Sequence, residues 1–439
     1  MPKNQVVLDN LFKLLEQQTH DPQDPHQQFP TSDRLSYGQV HCYENEIKAS
    51  AILKTHTTVK IQRHILDVSC AELNDIYRSV GRCLLLIDQA IYSLYKPAIE
   101  SYFRYHQIPL IVLPFRCLEE DKSIASVEKI LVQFKKHGVA RNEPILIMGG
   151  GVISDIGGLA CALYHRYIPY IMLCTSVVSG IDAGPSPRVC CDAQGYKNLY
   201  GAYQAPTITI TDVSFYKTLT PGHLRHGLAE IIKMAIVKDA VLFDLIKHHG
   251  AEILRTKFAT VDRTDDAPFL ALCDRIILLA LYRYTEAEYG NLYETHQMRP
   301  HAYGHTWSPG FELPAGLLHG HAVSIGMGYG AYLSWLNDWI SEEDCYAVFQ
   351  MCESIDLALY HTILENATCM WTAQTKMMQK RGGHLCAPLP KERIGGVGYL
   401  EQLSKKELLL SLRDYRKKVL TLPKQGRGKT MFLSDYPAV

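Results

Sequence analysis

Short apolar runs alternate with helical stretches between residues 59 and 220, and this alternation limits the possible folds more than any other feature of the chain. Apolar runs of this length are typical of parallel strands buried between two layers of helices. The runs are residues 82–88, 108–115, 144–148, 170–175 and 207–211, and the clearest helices between them are residues 90–106 and 126–137. The alternation predicts a Rossmann-like α/β domain whose parallel sheet is covered on both faces.

The C-terminal half has a different periodicity. A period of 3.6 residues dominates residues 223–237, 240–257, 267–288, 321–340 and 342–355, while strand-like runs are scarce. We therefore expect an α/β domain over residues 58–220 and an all-helical domain over residues 221–439. Residues 1–57 are predicted to form an N-terminal leader and wrap, with a short helix at residues 8–15 and a loose Pro-, Gln- and Asp-rich stretch at residues 18–36.

Charge and cysteine usage exclude several classes of protein. The 45 Lys and Arg residues balance the 45 Asp and Glu residues, so the chain lacks the excess of positive charge that is typical of proteins that bind nucleic acids or membrane surfaces. No apolar stretch reaches the roughly 18 residues of a transmembrane helix, and the N-terminus lacks the order of a signal peptide. The thirteen cysteines include no C-x-x-C pair, which indicates reduced thiols in a cytoplasmic protein.

Three consecutive glycines, Gly149 to Gly151, follow an apolar run and open a helical stretch. Glycines let a backbone approach a pyrophosphate, and the free N–H groups of a helix N-terminus attract it. The alternative is a tight strand-to-helix turn without a ligand, since the G-x-G-x-x-G pattern is absent. Asp88, at the end of another apolar run, is placed either to bind a ribose or to cap a helix.

Glu230, His305 and His319 lie in the segments RHGLAEIIKMA, GHTWSPGFE and LHGHAVSIGMG. One carboxylate and two imidazoles form the ligand set of a catalytic zinc site that keeps a position open for water or substrate. Two alternatives remain at this stage. His301, four residues before His305, could share a helical face with it, and His321 could replace His319 as a ligand.

The segment at residues 182–203 is rich in Gly and Pro and is predicted to be a long loop. It carries Asp182, Arg188, Lys197 and Asn198. Arginine and lysine in such a loop suit a phosphate monoester, although a solvated surface loop would have the same composition. A nucleotide site and a metal site in one chain together indicate an enzyme.

With these residues identified, the chain resembles the sugar phosphate cyclases, the superfamily of 3-dehydroquinate synthase. The resemblance extends from about residue 82 to residue 396. The matching motifs are E-x-x-K at 119–122, GGGVISD at 149–155, YHR at 164–166, CTS at 174–176, KN at 197–198, AEIIK at 229–233, GHT at 304–306 and LHG at 318–320.

The chain departs from dehydroquinate synthases at three positions. Arg188 stands where those enzymes have the lysine of a Gly-Gly-Lys-Thr run, Pro309 where they have a second histidine, and His321 where they have a glutamate. GHTWSP and HGHAV are instead similar to the cyclases of sedoheptulose 7-phosphate, and DAGPSPRVCCD to the branch that forms desmethyl-4-deoxygadusol. Glu288 and Ala302 agree with that branch rather than with its valiolone-forming sister branch.

The resemblance implies a bound NAD, a zinc or cobalt ion, a small sugar phosphate as substrate, and a homodimer in which Arg166 reaches the partner's site. It places the metal ligands at Glu230, His305 and His319. The positions that it implies for NAD are Asp88, Glu119, Lys122, Gly150, Gly151, Asp155, Thr175, Ser176, Lys197 and Thr218. Those that it implies near the substrate are Asp182, Arg188, Asn198, Lys233, Arg166 and Lys380.

The reaction implied by the resemblance is that of a carbon–oxygen lyase acting on phosphates. NAD would oxidise one alcohol transiently, phosphate would leave by elimination, the hydride would return, and an aldol step would close a carbocycle. The gadusol-type product requires a further loss of water, for which Glu288 is the candidate acid/base. The alternatives are a valiolone-forming cyclase, a 3-dehydroquinate synthase, an iron-type alcohol dehydrogenase and a non-catalytic binding protein.

Overall fold

The structure is a computed structural model that describes residues 36–42, 47–53 and 55–435. The predicted helix at residues 8–15 and nearly all of the loose stretch at 18–36 lie outside the described residues. The described strands are β1 (Ser36–Cys42), β2 (Ile47–Leu53), β3 (Thr58–Gln62), β4 (Cys83–Asp88), β5 (Leu110–Phe115), β6 (Ile145–Gly149), β7 (Tyr170–Cys174), β8 (Arg188–Ala193), β9 (Tyr196–Tyr203), β10 (Ile208–Asp212), β11 (Ala387–Lys391) and β12 (Arg393–Leu400). β1 and β2 pair antiparallel, within the region predicted as a leader.

The described helices alternate with the strands in the N-terminal half and dominate the C-terminal half. They are α1 (Glu72–Tyr77), α2 (Gln89–Tyr105), α3 (Ile124–Lys136), α4 (Gly151–Leu163), α5 (Pro221–Lys238), α6 (Ala240–Thr256), α7 (Ala267–Tyr289), α8 (Ser308–Ala315), α9 (His319–Leu336), α10 (Glu342–Ser354), α11 (Ala367–Lys380) and α12 (Lys405–Leu420). Among the described helices, none is both long and apolar enough to span a membrane.

Six of the described strands form one parallel sheet in the order β3-β10-β7-β6-β4-β5. Five of them correspond to the predicted apolar runs, so the Rossmann-like parallel sheet is confirmed. Alternate residues of β4 enter different cores, because successive side chains of a strand point to opposite faces. Leu84 and Leu86 pack with α3 and α4 on one face, while Leu85 and Ile87 pack with α2 on the other.

The C-terminal domain is helical, as predicted, with one exception. β11 and β12 form an antiparallel hairpin that the prediction of an all-helical domain missed. The second strand contains Gly395, Gly396 and Gly398, which interrupt the apolar alternation by which a strand is recognised in a sequence. Gly395 has a φ of +91°, a conformation that favours glycine.

The prediction of a long loop at residues 182–203 was wrong. Most of the segment is the β8–β9 hairpin, in which Ala193 pairs with Tyr196 across a two-residue turn. Gln194 and Gly195 in this turn both have positive φ, as hairpin turns of this length require. Pro185 and Pro187, which suggested a loop, lie just before β8.

The helices α5 and α9 lie in direct contact near the N-terminus of α9. A Cβ atom at Gly320 would lie 2.1 Å from the carbonyl oxygen of His226, so only glycine permits this approach. The contact brings the middle of α5 beside the first residue of α9.

Candidate active site

Three side chains converge in the C-terminal domain at the position where a metal site was predicted. Glu230 lies in the middle of α5, His305 in the turn before α8, and His319 at the start of α9. The Nε2 atoms of the two histidines are 3.0 Å apart. Oε1 of Glu230 lies 3.9 Å from Nε2 of His305 and 3.5 Å from Nε2 of His319. The structure therefore brings the predicted trio together.

The Glu230 carboxylate has one occupied and one free oxygen. Oε2 accepts hydrogen bonds from Lys233 Nζ at 2.5 Å and from the Tyr284 hydroxyl at 2.8 Å. Oε1 is buried, has no hydrogen-bond partner, and faces the two imidazoles. Because a buried carboxylate oxygen without a partner is costly, this donor set fits a divalent cation.

The opposite nitrogen of each imidazole has a hydrogen-bond acceptor. Nδ1 of His305 donates to the carbonyl oxygen of Tyr303 at 2.9 Å, and Nδ1 of His319 donates to Oε2 of Glu312 at 3.0 Å. These partners place the proton on Nδ1 and leave the lone pair on Nε2, the arrangement that metal-binding histidines use.

Burial and neighbouring charges shift the pKa values of Glu230, His305 and His319. Burial raises the pKa of Glu230, but Lys233 and the two histidines outweigh it and hold that pKa well below its usual range. Burial, followed by the charge of Lys233, lowers the pKa of His305 to about 3. Burial opposes protonation of His319, yet Glu312 outweighs it and raises the pKa of His319. The carboxylate and the His305 imidazole are therefore in the forms that bind a cation at neutral pH.

The two alternative histidines lie elsewhere. His301 contacts Arg188, with its Nε2 atom 3.3 Å from Nη1 of the guanidinium. His321 is fully buried and donates from Nε2 to the carbonyl oxygen of Gly222 at 3.1 Å. Neither belongs to the cluster of Glu230 with His305 and His319.

Several of the residues predicted for NAD lie at the carboxyl edge of the sheet. β4 pairs with β5 on one side and with β6 on the other, so the connections diverge between β4 and β6. Ligands of open α/β sheets bind in the crevice at such a point. Asp88 ends β4, the Gly149–Gly151 turn follows β6, and Thr175 and Ser176 follow β7.

Packing requires only the first glycine of the turn. A Cβ atom at Gly149 would lie 2.6 Å from Ile153, so packing alone requires glycine there. A Cβ atom at Gly150 or Gly151 would meet no neighbour closer than 3.7 Å, so packing does not require glycine at these two positions. They precede α4, whose N-terminus offers free N–H groups to a phosphate. The turn therefore fits a pyrophosphate.

Two lysines near this edge form ion pairs with acidic residues. Lys122 is 2.5 Å from Asp155 and donates to the side-chain oxygen of Asn198 at 2.7 Å. Lys197 lies 2.5 Å from both Glu119 and Glu312. Because Glu312 also contacts His319, Lys197 connects Glu119 to the cluster of Glu230 with His305 and His319.

The predicted phosphate-binding arginine lies among acidic side chains. Arg188 begins β8 and forms an ion pair with Glu288, which also accepts a hydrogen bond from Ser186 at 3.1 Å. Nη1 of Arg188 is 3.2 Å from Oε1 of Glu294. Burial raises the pKa of Glu288, although the charge of Arg188 opposes the shift. Its contact with the Arg188 guanidinium keeps Glu288 as the carboxylate of a buried ion pair, which can accept a proton in acid/base chemistry.

The remaining predicted residues have the following surroundings. Asp88 caps α2, its side chain accepting from the Ala90 N–H at 2.9 Å, which is one of the two roles predicted for it. Thr218 lies 3.1 Å from the Tyr95 hydroxyl. Arg166 is exposed. Lys380 is also exposed as a residue, but burial of its ammonium, followed by the charge of Arg299, lowers its pKa. Asp182 lies 3.4 Å from the Tyr284 hydroxyl, which connects it to Glu230.

Sequence reasoning missed three residues of the site: Tyr284, Glu294 and Glu312. Tyr284 and Glu312 are almost fully buried, at 1% exposure each. The signal for Glu312 was a carboxylate in the short segment GHTWSPGFE after the metal-binding motif. Tyr284 had no such signal, because it is one of many apolar and aromatic residues of α7.

Comparisons with known proteins agree with this geometry. The 3-dehydroquinate synthase N-terminal family matches residues 112–226, and the 3-dehydroquinate synthase C-terminal family matches residues 227–380. A demethyl-4-deoxygadusol synthase of Trichormus variabilis is 33% identical over 84% of this chain and 89% of its own length. A 2-epi-5-epi-valiolone synthase of an Actinomyces species is 31% identical over 83% of this chain and 96% of its own length.

A similar solved structure is the 2-epi-5-epi-valiolone synthase from Streptomyces hygroscopicus subsp. jinggangensis 5008 with NAD+ and Zn2+ bound. It superposes with a TM-score of 0.79 at 30% identity, covering 84% of this chain and 99% of that chain. Sequence relatives and structural neighbours therefore agree on the family.

Proposed function

The chain belongs to the 3-dehydroquinate synthase family of sugar phosphate cyclases, and from that premise we propose that it converts sedoheptulose 7-phosphate into desmethyl-4-deoxygadusol with loss of phosphate and water. In this proposal it is a carbon–oxygen lyase that initiates the synthesis of mycosporine-like amino acids. It would use NAD and a zinc or cobalt ion. The observation that carries the proposal is the chain of contacts from Glu119 through Lys197 and Glu312 to His319, because it joins a dinucleotide crevice to a cation site.

NAD would supply a reversible hydride acceptor, and the cation would polarise the oxygens of the sugar. Glu230, His305 and His319 would hold the cation. The turn at Gly150 and Gly151 would receive the pyrophosphate of the dinucleotide.

The protein's own side chains would orient the sugar phosphate and exclude water. Arg188 would bind the phosphate monoester, and Lys380 and Asn198 would add further contacts to it. Lys233 is 1% exposed, so its ammonium would offer a fixed positive charge beside the reacting oxygens.

Glu288 is our candidate for the final loss of water. Its carboxylate is buried and paired with Arg188, so it could take the proton from the carbon next to the departing hydroxyl. Ala302, which agrees with the same branch of the family, is also buried.

The second candidate function is a 2-epi-5-epi-valiolone synthase, which uses the same substrate with one fewer dehydration. It is favoured by the fold similarity to the Streptomyces enzyme, at a TM-score of 0.79. A homodimer with Arg166 at the partner's site and a cytoplasmic location are further parts of the proposal. The twelve free cysteines among the described residues are consistent with a reducing compartment.

The test is incubation of the pure protein with sedoheptulose 7-phosphate, NAD+ and Zn2+, followed by mass spectrometry of the product. We expect the mass of desmethyl-4-deoxygadusol, an ultraviolet absorption from its conjugated system, and no net accumulation of NADH. A product without that absorption and heavier by one water would establish the valiolone-type reaction instead. Accumulating NADH would indicate an alcohol dehydrogenase, and phosphate release from the seven-carbon acid of the shikimate pathway a 3-dehydroquinate synthase.

The matched control is the double variant Glu230→Gln/His305→Ala. It removes two of the three cation ligands and should abolish turnover. Full activity of this variant would show that the cation cluster has no part in the reaction.

A further inference from the structure

Glu312 is a buried carboxylate outside the predicted ligand set. It lies on α8 and is 1% exposed, so its charge requires partners inside the protein. Oε2 accepts from His319 Nδ1 at 3.0 Å, and Oε1 accepts from Lys197 Nζ at 2.5 Å. Both oxygens are therefore engaged, and the carboxylate has one orientation.

That orientation decides which nitrogen of His319 is free. A carboxylate can only accept, so Nδ1 of His319 carries a proton, and in the neutral ring that binds a cation Nε2 keeps the lone pair. Nε2 is the atom that faces His305 Nε2 at 3.0 Å and Glu230 Oε1 at 3.5 Å. If the proton moved to Nε2, His319 could no longer bind a cation at that point.

Lys197 fixes Glu312 in turn. It extends from β9, and the same ammonium also lies 2.5 Å from Glu119, in the turn after β5. Lys197 of β9, which is also paired with Glu119, thus holds the Glu312 carboxylate of α8 against the His319 imidazole. Without Lys197, Glu312 would lose the cation that offsets its burial.

We propose that Glu312 is a positioning residue of the cation site: held by Lys197, it sets the tautomer and the ring orientation of His319. The inference rests on the proposed cation site but not on the identity of the substrate. It also assigns Lys197 to the support of Glu312, in addition to the NAD contact that the resemblance implies.

The decisive variant is Glu312→Asp, which keeps the negative charge but is one methylene shorter and cannot reach His319. Zn2+ and Co2+ affinities are measured on the metal-free full-length protein by competition with a chromophoric chelator. We expect Glu312→Asp to bind both ions at least tenfold more weakly, as is typical when the partner of a ligating histidine is lost. The visible absorption of bound Co2+ should change as well, because the ring orientation changes.

The matched control is Glu143→Asp. Glu143 is also a buried carboxylate in an ion pair, 2.7 Å from Arg82, but it precedes β6 at the amino edge of the sheet. This variant should bind Co2+ with wild-type affinity and spectrum. A Glu312→Asp variant that does the same would overturn the proposal, since it would show that charge alone is required.

If Glu312→Asp does not fold, Lys197→Met provides the second measurement. It leaves Glu312 in place without its ammonium, and we expect a smaller but clear loss of Co2+ affinity with an altered spectrum. Unchanged affinity and spectrum would contradict the proposal. Failure of the proposed function is distinguishable, because it would appear as a wild-type protein that binds Zn2+ but converts no sugar phosphate, whereas a wild-type protein that binds neither Zn2+ nor Co2+ would overturn the inference itself.

Discussion

Arg188 and Glu288 form a largely buried ion pair at the proposed substrate position. Glu288 is 4% exposed and also accepts from Ser186 at 3.1 Å, while Arg188 has a second carboxylate, Glu294, at 3.2 Å. Removing one member of a buried pair leaves an uncompensated charge, which costs more than the pair itself contributes. The stability of this region therefore depends on both members.

We predict that Arg188→Met lowers the free energy of unfolding by about 3 kcal/mol near neutral pH, because it leaves Glu288 buried without its cation. The double variant Arg188→Met/Glu288→Gln should recover most of that loss, since the remaining side chains are neutral. Denaturant unfolding of the metal-free protein measures both. Equal destabilisation of the single and the double variant would show that the guanidinium acts through packing rather than through its charge.

The turn between β6 and α4 is the element on which the dinucleotide proposal depends. Its first glycine is required by packing against Ile153, whereas a methyl group at either of the next two would make only ordinary van der Waals contacts. Glycines that packing does not require are expected at a helix N-terminus where a phosphate approaches the backbone closely.

We predict that Gly151→Ala folds with unchanged or slightly raised stability but binds NAD+ at least tenfold more weakly. Alanine is the better helix former, while a methyl group next to the N–H groups that would receive the pyrophosphate should hinder its close approach. Isothermal titration with NAD+ and a thermal melt measure the two effects. Gly149→Ala is the contrasting variant, because its Cβ atom 2.6 Å from Ile153 should destabilise the fold itself. Wild-type NAD+ affinity in Gly151→Ala would argue against a pyrophosphate at this turn.

At the scale of the whole molecule, the proposed cation site joins elements that are far apart in sequence. Its ligands come from α5, from the turn before α8 and from α9, and its supporting lysine comes from β9 of the N-terminal half. A ligand that binds only the folded state stabilises it according to its concentration relative to the dissociation constant.

We predict that Zn2+ at about 100 times its dissociation constant raises the free energy of unfolding by about 2.7 kcal/mol. Removal of the ion by a chelator should lower the melting temperature by several degrees. Glu230→Gln should melt at the same temperature with and without the ion, because it replaces the ligating carboxylate. An identical Zn2+ shift in that variant would place the bound ion elsewhere.

The amino-acid sequence alone determined the two kinds of domain and the trio Glu230, His305 and His319. The parallel sheet follows from apolar runs whose length and burial are local properties, and the C-terminal helices follow from a 3.6-residue period. The β11–β12 and β8–β9 hairpins were missed. Glycines and prolines in or beside these strands interrupt the alternation of apolar and polar residues by which a strand is recognised, and the strands become regular only by pairing with each other. The proposed boundary near residue 220 remains a prediction.

Only the tertiary structure decided how the charged side chains pair. Sequence could not show that Lys197 lies between Glu119 and Glu312, which are 78 and 115 positions away, or that Arg188 faces Glu288 across 100 positions. It also left open whether His319 or His321 joins the cluster. Ion pairs and imidazole tautomers depend on distances of a few ångströms between separate elements, and packing of the whole chain sets those distances.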